Sequence, residues 1–288
     1  MKGIAYHPHP EVWVILGGLL LAYALAARKW GPRYVSPGDP PVTRNQTRLF
    51  AAGILAMWVA GEWPLHELSE RYLFSAHMLQ HMILSLIAPP LVLMGLPGWM
   101  TRPLLSPRPV RAVWSFITKP LVAMAAFNGY LVFSHWPGFV DATVRSEPLH
   151  FSAHAILFGL SLAMWWPVLS PLPELPRLSP PPRMLYLFGQ TIVPTVPASF
   201  LTFAEKPLYQ WYADAPRIWP FMDVVADQRM AGIIMKIGGG ALLWVIIAVL
   251  FFRWSSREET GAPDEADWQT LERRLNPGAQ QQAKDKVN

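Results

Sequence analysis

The chain contains no cysteine, which excludes disulfides, zinc–thiolate centres and thiol redox chemistry. It also removes the softest copper ligand, so a soft metal would have to be handled by histidine or methionine. Charge is scarce too. Asp, Glu, Lys and Arg make up 15% of the 288 residues against 52% apolar, where a soluble domain carries about 25% charged residues. The His-Glu-x-x-His and Gly-x-Ser-x-Gly signatures are both missing, and with them the common metalloprotease and serine-hydrolase readings. The first apolar run begins at Val12 with almost no basic region before it and no small-residue cleavage site, so no cleavable signal peptide is expected.

What the chain has instead is long apolar runs. Seven of them, near Val12–Ala27, Leu49–Trp63, Tyr72–Leu96, Leu121–Trp136, Leu149–Leu169, Met184–Phe203 and Met230–Phe252, approach the roughly 20 residues needed to cross a bilayer. Lipid offers no hydrogen-bond partners to the backbone, so such segments are helices. Pro89, Pro90, Pro194 and Pro197 are expected to kink them rather than end them. The expected fold is an all-α polytopic membrane protein of seven transmembrane helices. It comprises a transmembrane domain over residues 1–254 and a polar cytoplasmic tail over 255–288. In that tail Asp264–Leu275 can form a short amphipathic helix, and residues Ser170–Pro182 read as an extended proline-dense spacer.

The pI near 9.6 suggests nucleic acid only until the basic residues are placed. Seventeen Lys and Arg fall in alternate loops and the tail, from Arg28 and Lys29 through Arg102, Arg108 and Arg111 to Lys286; six fall on the opposite side. By the positive-inside rule the N-terminus is outside and the tail cytoplasmic. The basic charge is a topology signal and an attraction to anionic lipid, with no nucleic-acid partner implied. All eight histidines then belong to the outer half, as do Glu62, Glu67, Glu70, Glu147, Asp214, Asp223 and Asp227.

Two stretches repeat a phrase: "SERYLFSAH" (Ser69–His77) and "SEPLHFSAH" (Ser146–His154), identical at six of nine positions. Ser before Glu is a good helix start. With Ser69 and Ser146 as caps, His77 and His154 lie two turns in, ~12 Å along the axis. Each has a second histidine four residues away, His81 and His150. Residues at that spacing share a helix face, so each pair can offer two imidazoles to one point. Eight histidines scattered over this length would give only about 0.2 such pairs. Four neutral imidazoles suit copper, zinc, iron or nickel, with copper(II) favoured by intrinsic affinity. Met78 and Met82 follow the paired histidines; a thioether there suits copper(I), and core packing is the competing reading.

Here the sequence resembles the CtaG family of membrane proteins needed for assembly of cytochrome c oxidase. The resemblance is strongest in "FSAHMLQHMILSLIAPPLVLMGLP" (residues 74–97). It continues in the "HFSAH" ending at His154 and in "DQRMAGIIM" (Asp227–Met235), and covers roughly residues 10–255. It implies a bacterial inner-membrane protein that is not an enzyme. Its partners would be cytochrome c oxidase subunits, the lipid bilayer and a soluble copper carrier. Copper would be handed over at the outer face, with zinc or haem ranking behind copper. On that basis His77, His81, His150 and His154 are carried over as candidate ligands. Asp227 is a further candidate, as a ligand, as an acceptor orienting an imidazole, or as a helix N-cap. His135 and Met78 stand behind these, and His7, His9 and His66 form at most a flexible capture surface.

Three other classes compete. A haem-binding electron-transfer protein would use the same histidines as axial ligands; two on one helix are awkwardly placed for opposite faces of the haem, which leaves His77 with His154 as the axial pair. A retinal pigment would use Lys236 in the last helix, yet helix three offers no carboxylate counter-ion in its core. A metal transporter would need an exit site, and the basic side has no histidine.

Overall fold

The computed structural model describes residues 6–36 and 38–259, and all regular structure among them is helical. α1 (Pro10–Lys29) has Glu11 in its first turn and Arg28 and Lys29 in its last, charges that suit the two ends of the helix dipole. α2 (Arg44–Gly61) opens on a capping box formed by Thr43 and Gln46. A short α3 (Leu65–Arg71) precedes α4 (Phe74–Gly95). Next come α5 (Gly98–Leu104), α6 (Arg108–Ile117) and α7 (Pro120–Ser134), the last two bent by 80° to each other. After α8 (Pro137–Val144), the chain runs through α9 (Glu147–Leu169), α10 (Pro180–Phe203), α11 (Gln210–Asp214) and α12 (Val224–Glu259). The amphipathic helix expected at Asp264–Leu275 lies outside the described residues.

Five helices, α1, α4, α9, α10 and α12, are long and apolar enough to cross a membrane, or six if the bent α6–α7 pair is one span. α2 has the length, 18 residues, but its first two turns hold Arg44, Asn45, Gln46, Thr47 and Arg48. Val14, Leu121, Leu185, Phe200, Ile237 and Phe252 are exposed, far more apolar surface than a soluble monomer presents. The chain is a multi-pass membrane protein.

Proline is accommodated in two ways. In α4, Pro89 cannot donate to the carbonyl four residues back, and the backbone takes a π-helical turn over Ile83–Ile87 just before it. The freed Ser85 carbonyl accepts from the Trp165 indole of α9 at 3.0 Å, so no polar group is abandoned in the apolar interior, and α4 continues to Gly95. In α10 the helix breaks at Val193 and Pro194 and restarts at Thr195.

α2 and α4 lie against each other closely enough that a Cβ on Gly95 would meet the Phe50 backbone nitrogen at 2.4 Å. Tyr23 of α1 stacks on Phe50 and donates its hydroxyl to the Gly95 carbonyl at 3.0 Å. Small residues allow such approaches where lipid supplies no hydrophobic drive for helix association. The proline-dense segment is not an extended spacer. Leu172 is buried, the Trp166 indole donates to the Leu175 carbonyl, and Leu178 N donates back to Pro167 O. Apolar residues between the prolines fold it onto the end of α9.

α1, α4, α9 and α12 begin at one end of the bundle, where α2, α7 and α10 finish. Three short helices, α3, α8 and α11, close that end. α11 is fixed from both sides: Asp141 of α8 accepts from Gln210 N and Trp211 N, while Tyr212 donates to Ser69 O and Trp211 to Glu70 O.

Candidate metal centre

The two copies of the repeated phrase fold differently. Ser146 holds the N-cap position of α9 but makes no side-chain cap bond. Ser69 is not a cap: it sits inside α3, fully buried, its hydroxyl facing His66 O at 2.7 Å and Gln80 Oε1 at 3.0 Å. The chain breaks at Tyr72 and Leu73, and α4 starts at Phe74. His77 therefore lies in the first turn of its helix, whereas His154 lies two turns into α9.

The first turn of α4 is capped from elsewhere. Asp227 of α12, fully buried, accepts from Phe74 N at 2.7 Å, from Ser75 N at 3.1 Å and from the Ser75 hydroxyl. The N-cap of α12 is Asp223, which accepts from Ala226 N. Of the three roles open to Asp227, its oxygens take a fourth: they cap the histidine-bearing helix of another segment, where a carboxylate also suits the positive end of the dipole.

His77, His81 and His154 each bring a ring nitrogen to within 4.8 Å of the others, the one such group among the described residues. His81 Nε2 and His154 Nε2 are 3.1 Å apart, and His150 Nε2 is 3.2 Å from His154 Nε2 on its other side. Metal–nitrogen bonds of about 2.0–2.1 Å meeting at a tetrahedral angle hold two donors roughly 3.3 Å apart; His154 Nε2 stands near that separation from both His81 and His150, and His77 lies within 4.8 Å of His81 and His154. The donor set fits a metal in a further respect: His77 Nδ1 is buried with no hydrogen-bond partner, a cost that an imidazole bears when its nitrogen serves another purpose.

Around the rings is a shell of orienting groups. Glu70 Oε1 accepts from His150 Nδ1 and lies 3.3 Å from His66 Nε2. With Nδ1 carrying the proton, His150 presents the Nε2 lone pair toward His154, the carboxylate–histidine arrangement that orients metal ligands. Gln80 donates to Ala60 O at 2.7 Å and faces His66 Nδ1 at 3.1 Å, so the proton of neutral His66 sits on Nε2, toward Glu70. Burial holds the His66 pKa down to about 4 against the partial opposition of Glu70. For Glu70, burial alone would raise the carboxyl, but the His150 hydrogen bond and the neighbouring His66 and His150 outweigh it and leave the pKa lowered.

The remaining sequence candidates are not among the three grouped nitrogens. Met78 is buried among Phe74, Leu201, Tyr209 and Tyr212 as apolar packing. His135 bonds Leu131 O through Nδ1 at 2.6 Å, and its buried Nε2 has no partner. Lys236 is exposed in a second π-helical turn, Ile234–Gly238 of α12. From the sequence, Gln80 is not a candidate at all, Glu70 is only one of several outer carboxylates, and His66 is only part of a capture surface. The spacing of four between His66 and Glu70 was the available signal, on a helix too short to show a period.

Fold and site together define a multi-pass helical membrane protein with a partly buried imidazole cluster at one end. The chain belongs to the cytochrome c oxidase caa3 assembly factor family (Caa3_CtaG), whose model matches residues 21–257. No curated protein and no solved structure matches it. The family is one of assembly factors for cytochrome c oxidase, which is not a catalytic class.

Proposed function

We propose that the protein binds copper at the outer face of the bacterial inner membrane and hands it to subunits of a haem–copper cytochrome c oxidase, without catalysing a reaction of its own. In this reading α2 and the α6–α7 pair also cross the bilayer, giving seven spans with the N-terminus outside, as the alternation of basic loops supports. His77, His81 and His154 hold the ion, and His150, oriented by Glu70, adjoins it as a fourth imidazole. The convergence of three ring nitrogens within 4.8 Å carries the reading. An all-imidazole set without thiolate suits copper, and a soluble copper carrier would supply it. For haem, the His81–His154 and His150–His154 pairs, with nitrogens 3.1–3.2 Å apart, are too close to lie on opposite faces of a porphyrin.

The test is elemental analysis of purified protein beside a His77→Ala/His81→Ala variant, with oxidase activity measured in cells carrying each. Loss of bound copper together with loss of oxidase activity is expected. Equal copper and full oxidase activity in the variant would refute the proposal.

A further inference from the structure

The histidine-rich start of the described chain takes no part in the buried centre. His7, Pro8, His9 and Pro10 lead into α1, and residues 6–9 are not helical. Each proline fixes its own φ and biases the residue before it toward extended backbone. Both rings face one carboxylate. Glu67 Oε1 is 3.2 Å from His7 Nδ1 and 3.7 Å from His9 Nε2. Glu67 is buried and its other oxygen is held by Arg71 Nε at 3.1 Å, which leaves Oε1 to these two rings. His9 Nε2 is itself buried and makes no hydrogen bond. These are ion-pair separations, His9 Nδ1 also meets Glu11 Oε1 at 3.0 Å, and the three donors are more widely spread than the inner histidines, which all lie within 4.8 Å of one another.

The group also touches the centre below it. The His9 ring lies edge-on to His66 with centroids 4.3 Å apart, His66 stacks on His150 at 6.0 Å, and His150 reaches His154. Imidazole rings thus run from a half-exposed His7 to the inner cluster, with His66 Nδ1 facing Gln80 and His66 Nε2 facing Glu70, so His66 must exchange one of these partners to take the ion.

We propose that His7, His9 and Glu67 form a second, outer metal station that captures copper and passes it over His66 and His150 to the buried centre. The proposal rests on the reading of that centre as a copper site. The ion keeps its oxidation state throughout, each step exchanging one nitrogen or oxygen donor for the next. The outer donors do not share one sphere as closely as the inner three, and the non-helical residues 6–9 supply the adjustment. A mixed imidazole–carboxylate set is harder than the inner one and suits copper(II).

Full-length protein in lipid nanodiscs, titrated with copper(II) alone, separates the two stations. Wild type is expected to hold two ions. A His77→Ala/His81→Ala variant should hold one, stripped quickly by EDTA; a His7→Ala/His9→Ala variant should hold one, loaded more slowly than the inner ion of wild type. Glu67→Gln should reproduce the loss seen in the His7/His9 variant, with unchanged melting of the metal-free forms showing that all are folded. The outer station is overturned if the His77/His81 variant holds no ion, or if the His7/His9 variant matches wild type in both count and loading rate. Two ions in the His77/His81 variant, with one fewer in the His7/His9 variant, would refute the buried centre while supporting the outer one.

Discussion

Asp227 reaches from α12 to the first turn of α4, and replacing it separates a structural role from a ligating one. The alanine variant leaves two buried backbone donors, Phe74 N and Ser75 N, without an acceptor. Each unsatisfied donor costs about 1–3 kcal/mol, and the lost charge–dipole attraction adds up to ~2 kcal/mol. Relief from burying a carboxylate offsets several kcal/mol of that sum. The net expectation is a destabilisation of about 2–4 kcal/mol, visible as a lower melting temperature of the metal-free protein in detergent. Asp227→Asn keeps one carbonyl oxygen and should lose about half as much. The decisive comparison is with and without copper. A cap destabilises the empty protein when removed, whereas a ligand leaves the empty protein untouched and lowers only the copper-induced rise in melting temperature. If the alanine variant stayed within ~0.5 kcal/mol of wild type when metal-free, the capping argument would be wrong.

Other outcomes follow from the same geometry. Glu70→Gln preserves shape but weakens the orientation of His150, so copper affinity should fall about 10–100-fold; an unchanged dissociation constant in a competition titration would contradict it. His66, with its pKa lowered from 6.5 to about 4, stays neutral in the folded protein at pH values where the unfolded chain takes up a proton. Stability should therefore fall as pH drops from 6.5 toward 4, by up to about 3 kcal/mol from this group, and a His66→Gln variant should show a correspondingly shallower pH profile by calorimetry. Gly95→Ala places a methyl 2.4 Å from the Phe50 nitrogen, which must part α2 from α4 and break the Tyr23 bond. A loss of about 2–3 kcal/mol is expected from overpacking, and wild-type melting would count against the close contact.

Local geometry explains how much of this was legible in the sequence. His77 with His81, and His150 with His154, could be paired on paper because a spacing of four fixes a shared helix face; that the pairs meet is a long-range fact. The apolar runs announced helices, and their boundaries were close for α4 and α9. Ser69 misled because the identical Ser-Glu start at Ser146 truly precedes a helix, while the break at Tyr72 and Leu73 has no glycine or proline to mark it. Asp227 could not be assigned because its partners are over 150 residues away. His7, His9 and His66 could be placed on the outer side as a capture surface from the sequence, but their shared neighbour Glu67 and the contact of His9 with His66 could not.

The histidine helix with no cap of its own also has a bearing on biogenesis. While a growing polypeptide is still short of residue 227, the turn carrying His77 has backbone donors and nothing to receive them. Completion of the last membrane segment is what supplies the missing acceptor. A truncation ahead of α12 should therefore insert its earlier segments yet leave His77 and His81 without a fixed bearing toward His154.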